Sequence, residues 1–185
     1  VPPQVFDIIS YAVFLSKLTG GAFDITYEPL ELLWQRCSKE GRTPTENELE
    51  YAKNAVGYKN IMLNKTNSTV ELKYQHNIIN LGGIGKGYAV DDALQTLRAK
   101  GISRMLVEAG GNIGLGAPPP GKPGWRIGVA PPAVGRPPRE YLCLSNTSIS
   151  TSGDLWQHSV IAGVRYSHLI DPRTGLPLTR SESVT

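Results

Sequence analysis

"INLGGIGKGYAVDDA", residues 79–93, places four glycines and a lysine between an apolar run and a helical pattern. A Walker A loop needs GxxxxGK followed by Ser or Thr, because backbone amides wrap the phosphates and the hydroxyl takes a metal ion. Here Asn80 stands where the first glycine would be, and Gly87 follows Gly85-Lys86, so both tests fail. The dinucleotide pattern GxGxxG fails as well, since Val90 occupies the position of its third glycine. What survives is more general. An apolar strand end, a glycine turn and a helix start expose unpaired N–H groups and the positive end of a helix dipole, and Lys86 adds a cation. The stretch therefore reads either as an anion cradle or as a tight strand-to-helix turn with a solvated lysine.

Outward from it, residues 5–18 carry apolar groups at helical spacing and end in Thr19-Gly20-Gly21, a C-cap signature. Thr45 with Glu48 three residues on is a capping box and predicts a second helix over 45–56. Two alternating bursts within 60–82 flank "NKTNST" and predict a hairpin. A third helix is predicted from Gly87 to Lys100, closed by Gly101. "RMLVEAGGNIGLG" reads as a buried strand that dissolves into glycines, and "WRIGVAPP" and "EYLCLSNTSIST" are further strands separated by proline-rich loops. Helices and strands in mixed order with hairpins indicate α+β with an antiparallel sheet.

The 185 residues suit one domain over 1–185. Both ends look cut: no Met opens the chain, and "SESVT" stops as a strand-like run begins. With 19 Lys+Arg against 16 Asp+Glu the net charge is +3, with no basic runs that would indicate nucleic acid. Cys37 and Cys143 lack CxxC or Cys/His spacing, so metal and redox motifs are unsupported. No apolar run approaches the roughly 20 residues of a membrane span, and no signal segment is present.

"GGAFDIT" (20–26), "EAGGNIG" (108–114) and "SHLIDPRTGLP" (167–177) each join glycine to a carboxylate, amide or imidazole. With "VGYKNI", "GWRIGVAPP", "SISTSGD" and the opening stretch, their order resembles that of the ApbE-type flavin transferases, FAD:protein FMN transferases once filed as thiamine-biosynthesis lipoproteins. The likeness covers nearly the whole chain. It implies a T-fold-like α+β domain with a mainly antiparallel sheet packed by helices. It also implies FAD as substrate, Mg²⁺ as metal, and transfer of FMN to a Thr or Ser hydroxyl of an acceptor protein, with AMP released. The acceptor implied is a membrane redox subunit, and the implied location is periplasmic, or the outer face of the inner membrane, as a lipoprotein whose anchor is absent from this chain. Hydrolysis of FAD to FMN and AMP, and flavin binding without turnover, are the alternatives.

Residue by residue, the resemblance implies FAD contacts at Ala22, Phe23, Asp24, Asn80, Lys86, Gly110, Gly111, Asn112 and Ile170, and a metal-binding carbonyl at Gly83. Position 80 is usually Asp in the family, so Asn80 departs from it and loses a charge. Phe23 also reads as a core aromatic, Asp24 as a turn cap, and Gly110-Gly111-Asn112 as a β-bulge. Ser150 to Asp154 supply hydroxyls and amides that could line the site, or form a polar turn. His168 is the candidate general base for the incoming hydroxyl, since imidazole titrates near working pH; Asp171 either orients His168 or caps the turn shaped by Pro172 and Gly175. His76 and His158 read as surface residues. The family's side-chain metal ligands, an Asp with Thr or Ala four residues later, are expected beyond "DPRTG", and no such pair follows His168 before Thr185.

Overall fold

The computed structural model describes residues 1–129, 137–154 and 157–185. They group into two compact units, one of residues 1–83 and 157–181, the other of 84–156 and 182–185. The helices are α1 (Pro3–Leu18), α2 (Glu28–Lys39), α3 (Glu46–Asn54) and α4 (Gly85–Ala99). Among the described residues the strands, in chain order, are β1 (Ile61–Asn64), β2 (Thr69–Leu72), β3 (Leu106–Ala109), β4 (Asn112–Leu115), β5 (Trp125–Gly128), β6 (Tyr141–Leu144) and β7 (Ser148–Ser150). The short β8 (Ser152–Gly153), β9 (His158–Ile161), β10 (Val164–Ser167), β11 (Ile170–Asp171), β12 (Leu176–Pro177) and β13 (Ser183–Val184) complete them. Every pairing among them is antiparallel. This is the α+β architecture expected from the sequence, and no described helix is long and apolar enough to cross a membrane.

In the first unit, α1 begins with Pro3, where the missing N–H costs nothing. It buries Phe6, Ile8, Ile9, Ala12 and Val13. Its end is a Schellman closure: Gly20 N–H donates to Lys17 O at 3.2 Å and Gly21 N–H to Ser16 O at 2.8 Å, with φ of 59° and 82° that glycine adopts freely. The sequence reading does not contain α2. Its signal was present in Leu30, Leu33, Trp34 and Cys37, which recur at helical spacing and are all buried. Pro29 sits in the first turn, Glu28 and Glu31 beside it, Arg36 and Lys39 in the last turn, so charge and helix dipole agree at both ends. α3 starts at the expected capping box, with Thr45 N–H donating to Glu48 Oε2 at 2.9 Å and Glu48 N–H to Thr45 Oγ1 at 3.3 Å. Leu30, Leu33, Cys37 and Ala52 form the core between α2 and α3, closed by Leu49, Val56 and Ile170. The predicted hairpin is β1–β2, with Asn64 opposite Thr69.

In the second unit, α4 starts at Gly85 and not Gly87, which puts Lys86 in its first turn. Val90 and Leu94 pack with Met105, Leu97, Val107 and Ala109 against β3 and β4. The single strand expected over "RMLVEAGGNIGLG" is instead the β3–β4 hairpin, with Ala109 opposite Asn112 and Gly110-Gly111 as its two-residue turn. Both glycines have positive φ, 55° and 86°, as the favoured two-residue hairpin turn requires. The bulge reading of these glycines is therefore corrected to a turn. β7 extends the sheet beside β4, and β5–β6 form a separate hairpin. Part of the expected proline-rich loop, 130–136, lies outside the described residues.

Gly114 decides how closely α4 approaches the hairpin: a Cβ there would lie 2.5 Å from Leu94 Cδ1 and 2.6 Å from Val90 Cγ1. Both partners are buried, so neither can swing into solvent. Gly114→Ala is expected to reduce the unfolding free energy by about 1–3 kcal/mol through overpacking, read as a lower denaturant midpoint with an unchanged slope.

Candidate functional site

The loop after α1 is organised by a buried carboxylate. Asp24 is 5% exposed. Its Oδ1 accepts from Thr26 N–H at 2.9 Å and from Thr26 Oγ1 at 2.7 Å, and its Oδ2 accepts from Tyr58 N–H at 2.7 Å. Thr26 Oγ1 in turn accepts from Gly57 N–H at 2.7 Å. Asp24 thus ties 22–26 to 57–58, which is the turn-capping role weighed from the sequence, extended to a second segment. Ala22 is left exposed and Phe23 half-buried beside it. A Cβ at Gly83 would lie 3.1 Å from the Phe23 ring, so the fold brings Phe23 and the glycine turn of 81–83 together.

Asn80 anchors that turn. Its backbone N–H donates to Ile25 O at 2.7 Å, its Oδ1 accepts from Gly82 N–H at 2.7 Å, and its Nδ2 donates to Glu28 Oε2. Next to Glu28, the Tyr27 hydroxyl is pushed up to about 12 by burial and then by the charges of Glu31 and Glu28. It stays protonated through the working range.

The second unit assembles Lys86, Gly110, Gly111 and Asn112 at one end of α4. Lys86 Nζ lies 3.5 Å from Gly110 O. Gly111 N–H donates to Glu108 Oε1 at 2.8 Å, and Thr151 N–H to Gly111 O at 3.2 Å. Asn112 Oδ1 accepts from Ser150 Oγ at 2.9 Å while its Nδ2 reaches Ala109 O at 3.3 Å. A lysine on the first turn of a 15-residue helix, beside a glycine turn and hydroxyls, is an arrangement suited to an anion. Asp154 is fully buried, and its Oδ1 accepts from Glu182 N–H at 3.3 Å.

His168 lines a cleft of about 280 Å³ in the first unit, with Glu31, Trp34, Gln157, His158, Tyr166 and Ile170 among its walls. Its Nδ1 is 3.0 Å from Gln157 O. A carbonyl oxygen only accepts, so Nδ1 carries a proton and Nε2 is the ring nitrogen left to face a reacting group. The orienting group is therefore the Gln157 carbonyl. Asp171 takes the other role weighed for it and caps its turn: Oδ1 accepts from Arg173 N–H at 3.0 Å and Nε at 2.9 Å, and Oδ2 from Nη2 at 2.8 Å. These Arg173 contacts hold the Asp171 carboxyl below the usual carboxylate range. Ile170 both faces the cleft and packs on the α2–α3 core. Trp34 donates from Nε1 to Gly175 O at 2.9 Å and its ring meets that of Tyr166 at 5.0 Å, which holds one cleft wall. His76 is exposed, between the Tyr51 and Tyr74 rings, and His158 is exposed at the cleft. Thr26, Glu28 and Gln157 escape the sequence reading; Gln157 acts through its backbone, and Glu28 meets a partner 52 residues away.

The whole chain, residues 1–185, matches the ApbE family. It is 36% identical over 191 aligned residues to the FAD:protein FMN transferase of Vibrio cholerae, an alignment covering 100% of this chain and 56% of that protein. With the FAD:protein FMN transferase of Klebsiella pneumoniae it shares 31% identity over 97% of this chain and 53% of the relative. Among solved structures it resembles the ApbE protein of Thermotoga maritima, with a TM-score of 0.88 and 37% identity over 99% of this chain and 60% of that one. The Vibrio cholerae flavin transferase ApbE gives a TM-score of 0.80 at 33% identity, over 96% and 57%. The chain thus spans little more than half the length of the curated relatives it matches.

Asp24→Ala removes the acceptor of three donors, two of them backbone N–H groups. Because each buried donor left unpaired costs about 1–3 kcal/mol, the variant is expected to lose about 3 kcal/mol or more of stability. Chemical denaturation measures this.

Proposed function

The chain belongs to the ApbE family, and from that premise we propose that this protein transfers FMN from FAD to a Thr or Ser hydroxyl of an acceptor protein, with release of AMP. The observation that carries the reading is His168, whose proton is held on Nδ1 by the Gln157 carbonyl so that Nε2 is the basic nitrogen in a cleft. In the proposed step the acceptor oxygen attacks the FMN phosphorus, the bond from that phosphorus to the AMP oxygen breaks, and the hydroxyl proton passes to Nε2. Lys86 and the first-turn amides of α4 are the groups suited to the pyrophosphate charge. Asn112 and Ser150, bonded to each other, hold the adjacent hairpin in place.

Mg²⁺ dependence is part of the proposal and rests on the family resemblance. Among the described residues no group of three or more His, Cys, Asp or Glu is placed to hold a metal. The ligand proposed in this chain is the Gly83 carbonyl, and a hard cation that takes about six oxygens needs more than one. The residues here do not by themselves fit the ion, and no step is routed through it.

The test is incubation of the purified protein with FAD, Mg²⁺ and a Thr-bearing acceptor peptide, followed by mass spectrometry. Slow flavinylation of the peptide with release of AMP is expected from these 185 residues, of which the described ones supply Mg²⁺ with few ligands of their own; free FMN would assign hydrolysis, and intact FAD would refute turnover. Lys86→Ala is expected to weaken FAD binding by about 1.5–3 kcal/mol through loss of a charge-assisted contact. An unchanged dissociation constant would remove Lys86 from the nucleotide. His168→Ala is expected to slow transfer by about 100-fold or more with FAD affinity nearly intact, whereas loss of folding would assign the imidazole a structural role.

A further inference from the structure

We infer that Glu28 is a positioning residue for the glycine turn of 81–83, acting through Asn80, so that residues 28 and 80 form a matched acceptor–donor pair on which flavin-nucleotide binding depends. The inference rests on the reading above that this turn faces FAD. Every polar group of the Asn80 side chain is engaged within the first unit. Its Oδ1 accepts from Gly82 N–H at 2.7 Å, which fixes the amide's orientation, because the reverse orientation would set an NH₂ against an N–H. Nδ2 must then face Glu28, and it donates to Glu28 Oε2. Glu28 supplies a pure acceptor there, and its place in the first turn of α2 favours its negative charge.

The turn has no slack with which to absorb a displaced Asn80. A Cβ at Gly82 would lie 2.9 Å from Asn80 Oδ1, and one at Gly83 would lie 3.1 Å from the Phe23 ring. The Asn80 backbone is held in addition by Ile25 O at 2.7 Å. A shift of the residue-80 side chain therefore moves Gly82, and Gly82 carries Gly83 past Phe23. The other titratable groups at this end of α2 are Tyr27 and Glu31, and Tyr27 remains neutral. A carboxylate at position 80 has no proton to donate to Glu28, and the two acids would then either repel or share a proton.

The test is a double-variant cycle read by FAD titration of the purified protein. Asn80→Asp is expected to bind FAD about tenfold or more weaker near pH 8 and to recover as the pH falls to about 5.5, where one proton bridges the two acids. Glu28→Gln keeps an acceptor for Asn80 and is expected to stay within about threefold of the wild type. The double variant E28Q/N80D reverses the polarity of the pair, with the new amide at position 28 donating to the new carboxylate at position 80, and is expected to return to within about threefold at both pH values. An Asn80→Asp variant that binds like the wild type near pH 8 overturns the inference. So does a double variant that binds no better than Asn80→Asp, or a coupling seen in melting temperature and not in affinity. If Asn80→Asp does not fold near pH 8, the double variant decides: folded and binding supports the pair, unfolded or non-binding overturns it. Failure of the flavin reading shows in the wild type, as absence of FAD binding, whereas failure of this inference shows only in the variants.

Discussion

The carboxylate of Asp24 satisfies three donors at once, and the loop of 22–26 that carries Ala22 and Phe23 is fixed by it. Two of these are backbone N–H groups, of Thr26 and Tyr58, that have no strand or helix partner of their own. Burying a charge is costly unless its oxygens are saturated with donors, and here one side chain is saturated by two chain segments. The consequence is geometric. With 22–26 pinned to 57–58, Ala22 stays at the surface, Phe23 leans on Gly83, and Ile25 offers its carbonyl to Asn80. Thr26 doubles the tie by accepting from Gly57, whose φ of 143° suits glycine alone.

Around the glycine turns, the polar groups held in place are mostly backbone groups. In the second unit the Gly110-Gly111 turn and the start of α4 at Gly85 present amides and carbonyls with little side chain in the way. Side chains enter mainly to hold those backbones. Asn80 holds Gly82, Glu108 holds Gly111, and Asn112 links Ala109 to Ser150. A phosphate-rich ligand is well matched to such a surface, since it offers many acceptors and little shape. Lys86 is the one side chain of the opening motif that brings a full positive charge.

The imidazole of His168 follows the same economy. Its tautomer is set by a backbone carbonyl, and the carboxylate nearest in sequence, Asp171, is spent on Arg173 and the turn that follows. In a triad-like arrangement the carboxylate would orient the ring; here the carboxylate shapes the turn that carries Gly175, and Gly175 accepts from the Trp34 indole of the cleft wall.

How much of this was legible in the sequence follows from the range of each interaction. Contacts between residues two to five apart can be read directly: the Thr45–Glu48 capping box, the glycine closure of α1 and the β1–β2 hairpin all appear where the local chemistry predicts them. The ordered motifs also carried the family. α2 is encoded in the Pro29 of its first turn and in the spacing of Leu30, Leu33, Trp34 and Cys37, with no capping side chain to mark its start. The tertiary structure alone decided what lies further apart. Asp24 meets Tyr58 across 34 residues, Asn80 meets Glu28 across 52, and His168 takes its orientation from a carbonyl that no side-chain pattern encodes. Local sequence constrains the conformations a segment can adopt, but which distant donor reaches which acceptor is settled only when packing brings the segments together.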